Sequence, residues 1–127
     1  MRAMNDAEFQ RINELGDQLR NGFNAAFGAA GVRGQALGMG SLVNIVLDDE
    51  PMPDARATID AMFAAGPATA ALHLTMLRHG VASASRLMYC TSTAMDSAVV
   101  DFVVDALAAS LEELKPVLEK ELPRLCV

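Results

Sequence analysis

At 127 residues the chain has room for one domain and is long enough to bury a core. Hydrophobic residues make up 52% of it and charged residues 20%, which favours a folded globular chain over disorder. A net charge of -6 excludes the cationic surface a nucleic-acid binder needs, and no apolar run reaches the roughly 18 residues of a membrane span. No signal-peptide pattern opens the chain, so a cytoplasmic protein is expected. The two cysteines, Cys90 and Cys126, lack metal-ligand partners nearby in sequence and suit reduced thiols. Mean hydropathy is positive although only 5% of residues are aromatic and eight are Met. Part of the surface is therefore expected to lie against another chain or domain. An Ala-rich helical core is the plainer alternative.

Residues 1–4 read as a loose start. Asn5 and Glu8 fit a capping box, with the Asn5 side chain and the Glu8 carboxylate satisfying the first free N–H groups. Phe9, Ile12, Leu15, Leu19, Phe23, Ala26 and Phe27 then keep a three-four spacing that puts them on one helical stripe, which Gly31 ends. Glu8, Arg11, Glu14, Asp17 and Arg20 fall on the wet side. Gly16 and Gly22 inside this helix cost about 1 kcal/mol each against Ala, which close packing on a sheet would explain. Residues 32–37 and 41–47 read as two strands around Gly38, Met39 and Gly40. The spacing GQALGMGS matches no phosphate-binding loop, and a strand follows it rather than a helix, so a tight hairpin is expected.

The run DDEPMPD, residues 48–54, lacks the alternating oxygen ligands and central Gly of a calcium loop and reads as a solvated loop. Residues 55–65 are weakly amphipathic and read as a short helix. Pro67 restarts a helix at its first position, where a missing N–H does no harm. Leu72, Met76 and Leu77 carry that helix forward to Gly80, a natural residue for a positive-φ helix end. Residues 81–84 and 87–90 read as short buried strands, and Asp96 as the N-cap of a long helix. Val100, Val103, Val104, Leu107, Leu111 and Leu114 share one face of it, and Pro116 should kink or break it. The order predicts an α+β domain: a small three- to four-stranded sheet with helices packed on one face.

Four segments in this order resemble the C-terminal small domain of class-III, fold-type-I PLP-dependent aminotransferases, with the glutamate-1-semialdehyde aminomutase branch most similar. They are LGDQLRNGFNAAFGAAGV (15–32), GMGSLVNIVL (38–47), LHLTMLRHGV (72–81) and TSTAMDSAVVDFVVDAL (91–107). The resemblance implies a single small domain over residues 1–127 without the large PLP-binding domain. In a full enzyme it would close the active site and position an amino-acid substrate. PLP and its lysine would belong to the large domain, so no cofactor is expected on this chain alone. The partners implied are that large domain or a second copy of the chain, as a dimer or other homo-oligomer. A free-standing binding or dimerisation module that kept the fold without the chemistry is the alternative.

The residues agree with a chain that does not catalyse alone. Its two lysines, Lys115 and Lys120, lie among carboxylates in LEELKPVLEKEL and should be solvated. Ser83, Ser85, Thr91 and Ser92 lack the GxSxG nucleophile pattern. His73 and His79, six apart, point to different helix faces and cannot share a metal. His79 beside Gly80 suits the helix C-terminus. Arg86, between two apolar strands, is the candidate substrate-binding residue, because a guanidinium there needs a partner and its planar fork fits a carboxylate. The resemblance implies a substrate carboxylate, although the family's frequent Pro-Pro step after this position is Tyr89-Cys90 here. A local acid, with Asp96, Asp101 and Glu50 available, or an exposed place at the sheet edge is the structural alternative.

Overall fold

The structure, a computed structural model, describes residues 6–48, 56–57, 60, 66–82, 87–91, 95–121 and 123–126. The Asn5 cap, the loop over 49–54 and Arg86 lie outside them. Of the expected 55–65 helix, Arg56, Ala57 and Asp60 are helical and the rest lies outside as well.

Among the described residues three long helices stand out: α1 (Asp6–Ala30), α2 (Gly66–Arg78) and α3 (Ser97–Glu121). Helix α1 buries Ile12, Leu15, Leu19, Phe23, Ala26 and Phe27, the stripe that the spacing predicts. Phe9 departs from it and is 51% exposed, because the core begins one turn later. The helix closes on Gly31 at φ 70°, where the amides of Gly31 and Val32 bond back to Gly28 and Phe27. Helix α2 ends in the same way at Gly80, with Val81 N–H on the Met76 carbonyl at 2.9 Å. Leu72 and Met76 are buried in it, but Leu77 is half exposed. Asp96 caps α3 as expected, its Oδ1 accepting the Val99 amide at 3.0 Å.

Pro116 does not end α3, which runs through it to Glu121. Pro116 sits on the exposed side, and Leu118 beyond it is buried, so packing holds the last turn in place despite the missing N–H. A 3-10 turn, Pro123–Leu125, then folds back, buries Leu125 and accepts the Arg33 amide on the Leu125 carbonyl at 2.6 Å.

The sheet is antiparallel with order β1-β2-β3: β1 (Gln35–Leu37), β2 (Leu42–Val46) and β3 (Met88–Cys90). The strands expected over 32–37, 41–47 and 87–90 come out shorter, and of the one expected over 81–84 only Val81 and Ala82 are described, neither of them in a strand. Val32 forms only an isolated bridge with Cys126, and Val81 and Ala82 stay outside the sheet because the Val81 amide is engaged by the end of α2. Ala36 pairs with Ile45 and Val43 with Tyr89, so these side chains share the face turned to the helices. There they join one core with Phe23, Phe27, Leu72, Met76, Leu107 and Leu111. Phe23 and Tyr89 meet edge to face, ring centroids 5.3 Å apart.

Candidate functional site

The hairpin and β3 are locked onto α1 by contacts that leave little freedom. Gly16 lets the Gly40 carbonyl approach so closely that a Cβ would lie 1.9 Å from its oxygen. Arg20, placed on the wet side by its spacing, instead has a side chain only 13% exposed and donates to the carbonyls of Gly40 (2.9 Å) and Leu42 (2.8 Å) while pairing with Asp17. Asn24 closes the edge of β1, its Oδ1 accepting the Ala36 amide at 2.8 Å and its Nδ2 facing the Ala36 carbonyl at 3.4 Å. Thr91, just after β3, donates from Oγ1 to the Ile12 carbonyl at 2.9 Å. Gly22, by contrast, faces helix α3 and not the sheet, with a Cβ there 2.5 Å from Val104.

Arg86, the one residue singled out for substrate binding, lies outside the described residues. Its neighbour Leu87 has φ 60°, a value costly for an L-residue with a branched side chain. Leu87 keeps it because its side chain is fully buried and its carbonyl accepts the Ile45 amide at 3.0 Å. Two of the acids that could pair Arg86 are already engaged: Asp96 caps α3, and Asp101 Oδ1 accepts Gln18 Nε2 at 3.2 Å. Glu50 lies outside the described residues.

The sheet face turned from the helices carries Gln35, Leu37, Leu42, Asn44 and Val46, as the register requires. Leu42 is half exposed on it. The Oδ1 of Asn44 is buried and has no hydrogen-bond partner among the described residues.

Both lysines lie on the C-terminal half of α3. Lys115 borders a shallow groove of about 330 Å³ with Ala26, Ala29, Ala30, Ala108 and Glu112. Its amine sits over Gly31, 3.1 Å from where a Cβ would stand, at the C-terminal end of α1. That end presents carbonyl oxygens, which attract the ammonium and repel a cofactor phosphate, and Glu112 adds to the repulsion. Lys120 is exposed on the last turn of α3. A second cavity, between Tyr89, Val81 and the start of α3, measures about 130 Å³ and is lined mainly by apolar side chains. It falls below the roughly 300 Å³ of a typical small-molecule site. His79 pairs with Glu113 at 2.9 Å beside the Arg78–Glu113 ion pair at 2.7 Å, tying the end of α2 to α3. No group of three His, Cys, Asp or Glu side chains among the described residues could hold a metal ion. No described helix is long and apolar enough to cross a membrane.

No family model and no curated protein matches this chain. Solved structures do match it. An omega-transaminase from Sphaerobacter thermophilus is 31% identical, with a TM-score of 0.74 over 87% of this chain and 25% of its own. A transaminase with PLP bound is 26% identical, with a TM-score of 0.72 over 90% of this chain and 25% of its own. A glutamate-1-semialdehyde aminomutase from Pseudomonas aeruginosa PAO1 shares the fold at TM-score 0.78 with 22% identity, over 87% of this chain and 24% of its own. The chain thus has the α+β fold of one part of transaminases and aminomutases, and spans about a quarter of the length of these matches.

Proposed function

We propose that the chain is the C-terminal small domain of a class-III PLP-dependent aminotransferase or aminomutase, a single domain over residues 1–127 that acts with a large PLP-binding domain. The observation that carries this reading is the asymmetry of the match: 87% of this chain against 25% of the omega-transaminase. PLP, held by the large domain, supplies the electron sink for amino-group chemistry. The small domain's part is to close the site and position the substrate. Arg86 is its candidate contact, offering two parallel N–H donors to a substrate carboxylate. A cytoplasmic homo-oligomer belongs to the same proposal. A binding or dimerisation module is the second reading, and the half-exposed Leu74, Leu77 and Phe102 favour it.

Grafting this chain in place of the matching quarter of the Sphaerobacter omega-transaminase tests the proposal. The hybrid should hold PLP and turn over an amino-acid donor. In it, Arg86→Leu should raise KM for carboxylate substrates about tenfold to a hundredfold without lowering Tm. A folded hybrid that holds PLP and gives no turnover contradicts the proposal. A stability loss on the order of 3–5 kcal/mol in Arg86→Leu would instead make Arg86 one half of a buried ion pair.

A further inference from the structure

We infer, resting on the aminotransferase reading, that Leu87 is a positioning residue for Arg86: its left-handed backbone sets how Arg86 meets a substrate carboxylate. Five described residues have positive φ, and four of them are glycines at helix ends or in the hairpin turn: Gly31, Gly38, Gly40 and Gly80. Leu87, at φ 60°, is the fifth. Elsewhere the chain meets a left-handed position with the residue that adopts it freely, and here it places a bulky one instead.

What Leu offers and Gly lacks is an anchor. Its side chain is fully buried in the same core as Val43 and Tyr89, and its carbonyl accepts the Ile45 amide at 3.0 Å. The residues after it are fixed by register, Met88 on Asn44 and Tyr89 on Val43. Burial alone does not call for the left-handed turn. Strand alternation already directs residue 87 to the face of Tyr89, two positions on, at the roughly −140° of an antiparallel strand. With the side chain and carbonyl held, rotation about the N–Cα bond of Leu87 moves only the chain before it. The peptide that joins it to Arg86 is planar, so this φ decides on which side of the strand Arg86 arrives. Strain of this kind persists only where the surroundings over-determine it, and it collects at ligand-contact positions. Upstream, the exit from α2 is fixed as well, with Val81 buried and its amide on the Met76 carbonyl at 2.9 Å.

Two pairs of variants in the hybrid transaminase test it, each pair close in size and differing in tolerance of positive φ. Leu87→Met keeps the volume without a branch at Cβ, whereas Leu87→Ile keeps it with a branch that the left-handed region disfavours. Leu87→Gly and Leu87→Ala both lose the buried side chain, but only glycine takes positive φ freely. KM for a carboxylate-bearing amino donor should be about tenfold higher in Leu87→Ile than in Leu87→Met, as when a binding group is misplaced. It should likewise be higher in Leu87→Ala than in Leu87→Gly. KM for a donor of the same length without the carboxylate should not separate either pair, and retained PLP shows that a hybrid is folded. If Leu87→Ile loses PLP, the truncated pair decides. A PLP-holding pair whose members share one carboxylate KM overturns the inference and leaves the aminotransferase reading in place. So does a KM that follows the melting temperature across the four variants and not their tolerance of positive φ. A wild-type hybrid that holds PLP without turnover contradicts the aminotransferase reading itself, and the role of Leu87 falls with it.

Discussion

A methyl group added at Gly16 would fall 1.9 Å from the Gly40 carbonyl oxygen, whereas at Gly28 it would meet nothing within 4 Å. Both glycines sit inside α1, so both should gain about 1 kcal/mol of helix propensity on replacement by Ala. At Gly16 the clash is with backbone and must move the hairpin, at a cost of about 1–3 kcal/mol. Urea unfolding should therefore show Gly16→Ala destabilised and Gly28→Ala stabilised. Close packing on a sheet was expected at both Gly16 and Gly22: Gly16 packs on the hairpin turn at Gly40 and Ser41, whereas Gly22 packs on Val104 of α3. Arg20 and Asn24 were missed for the same reason: their partners lie 12 to 22 residues away, across a turn whose geometry local spacing does not determine. Leu87 presents a contest of effects. Glycine would relieve its positive φ, worth about 1–2 kcal/mol, yet remove a fully buried side chain worth about 2–5. Leu87→Gly should lower stability, by roughly 2 kcal/mol in the same assay.

The ends of the elements were the most legible features, because capping is local chemistry. Asp96 and the glycines at 31 and 80 stand where their side-chain oxygen or positive φ is needed. The stripes were legible in their middles and misjudged at their ends: Phe9 and Leu77 keep the right spacing, but each is left about half exposed. Periodicity gives a direction around a helix and says nothing about where the core stops along it. Pro116 is the clearest override of a local rule, with Leu118 holding the helix beyond it. Because Pro116 is exposed and its carbonyl-side neighbours remain helical, Pro116→Ala should restore a backbone hydrogen bond at no packing loss. An increase in stability of about 1–3 kcal/mol by thermal or urea unfolding is expected. Unchanged stability would mean that the last turn is held by Leu118 and the 3-10 turn alone.

Across the whole molecule, the order of parts and the α+β class were readable from hydrophobic period, turn glycines and caps. The candidate site was less so. A substrate-binding role for Arg86 came from resemblance, and two features of the described residues, the positive φ of Leu87 and the buried Asn44 oxygen, have no signature in sequence. The surroundings of the two lysines in sequence, by contrast, are carboxylate-rich on both sides. Lys115 serves the carbonyl end of α1 and Lys120 faces solvent, so a chain that spans about a quarter of its transaminase matches should have no cofactor chemistry by itself. The most direct test of that claim is borohydride reduction of the 127-residue chain with PLP, followed by peptide mass mapping. No stoichiometric adduct should form on either lysine. A specific, stoichiometric adduct on Lys115 or Lys120 would contradict the account.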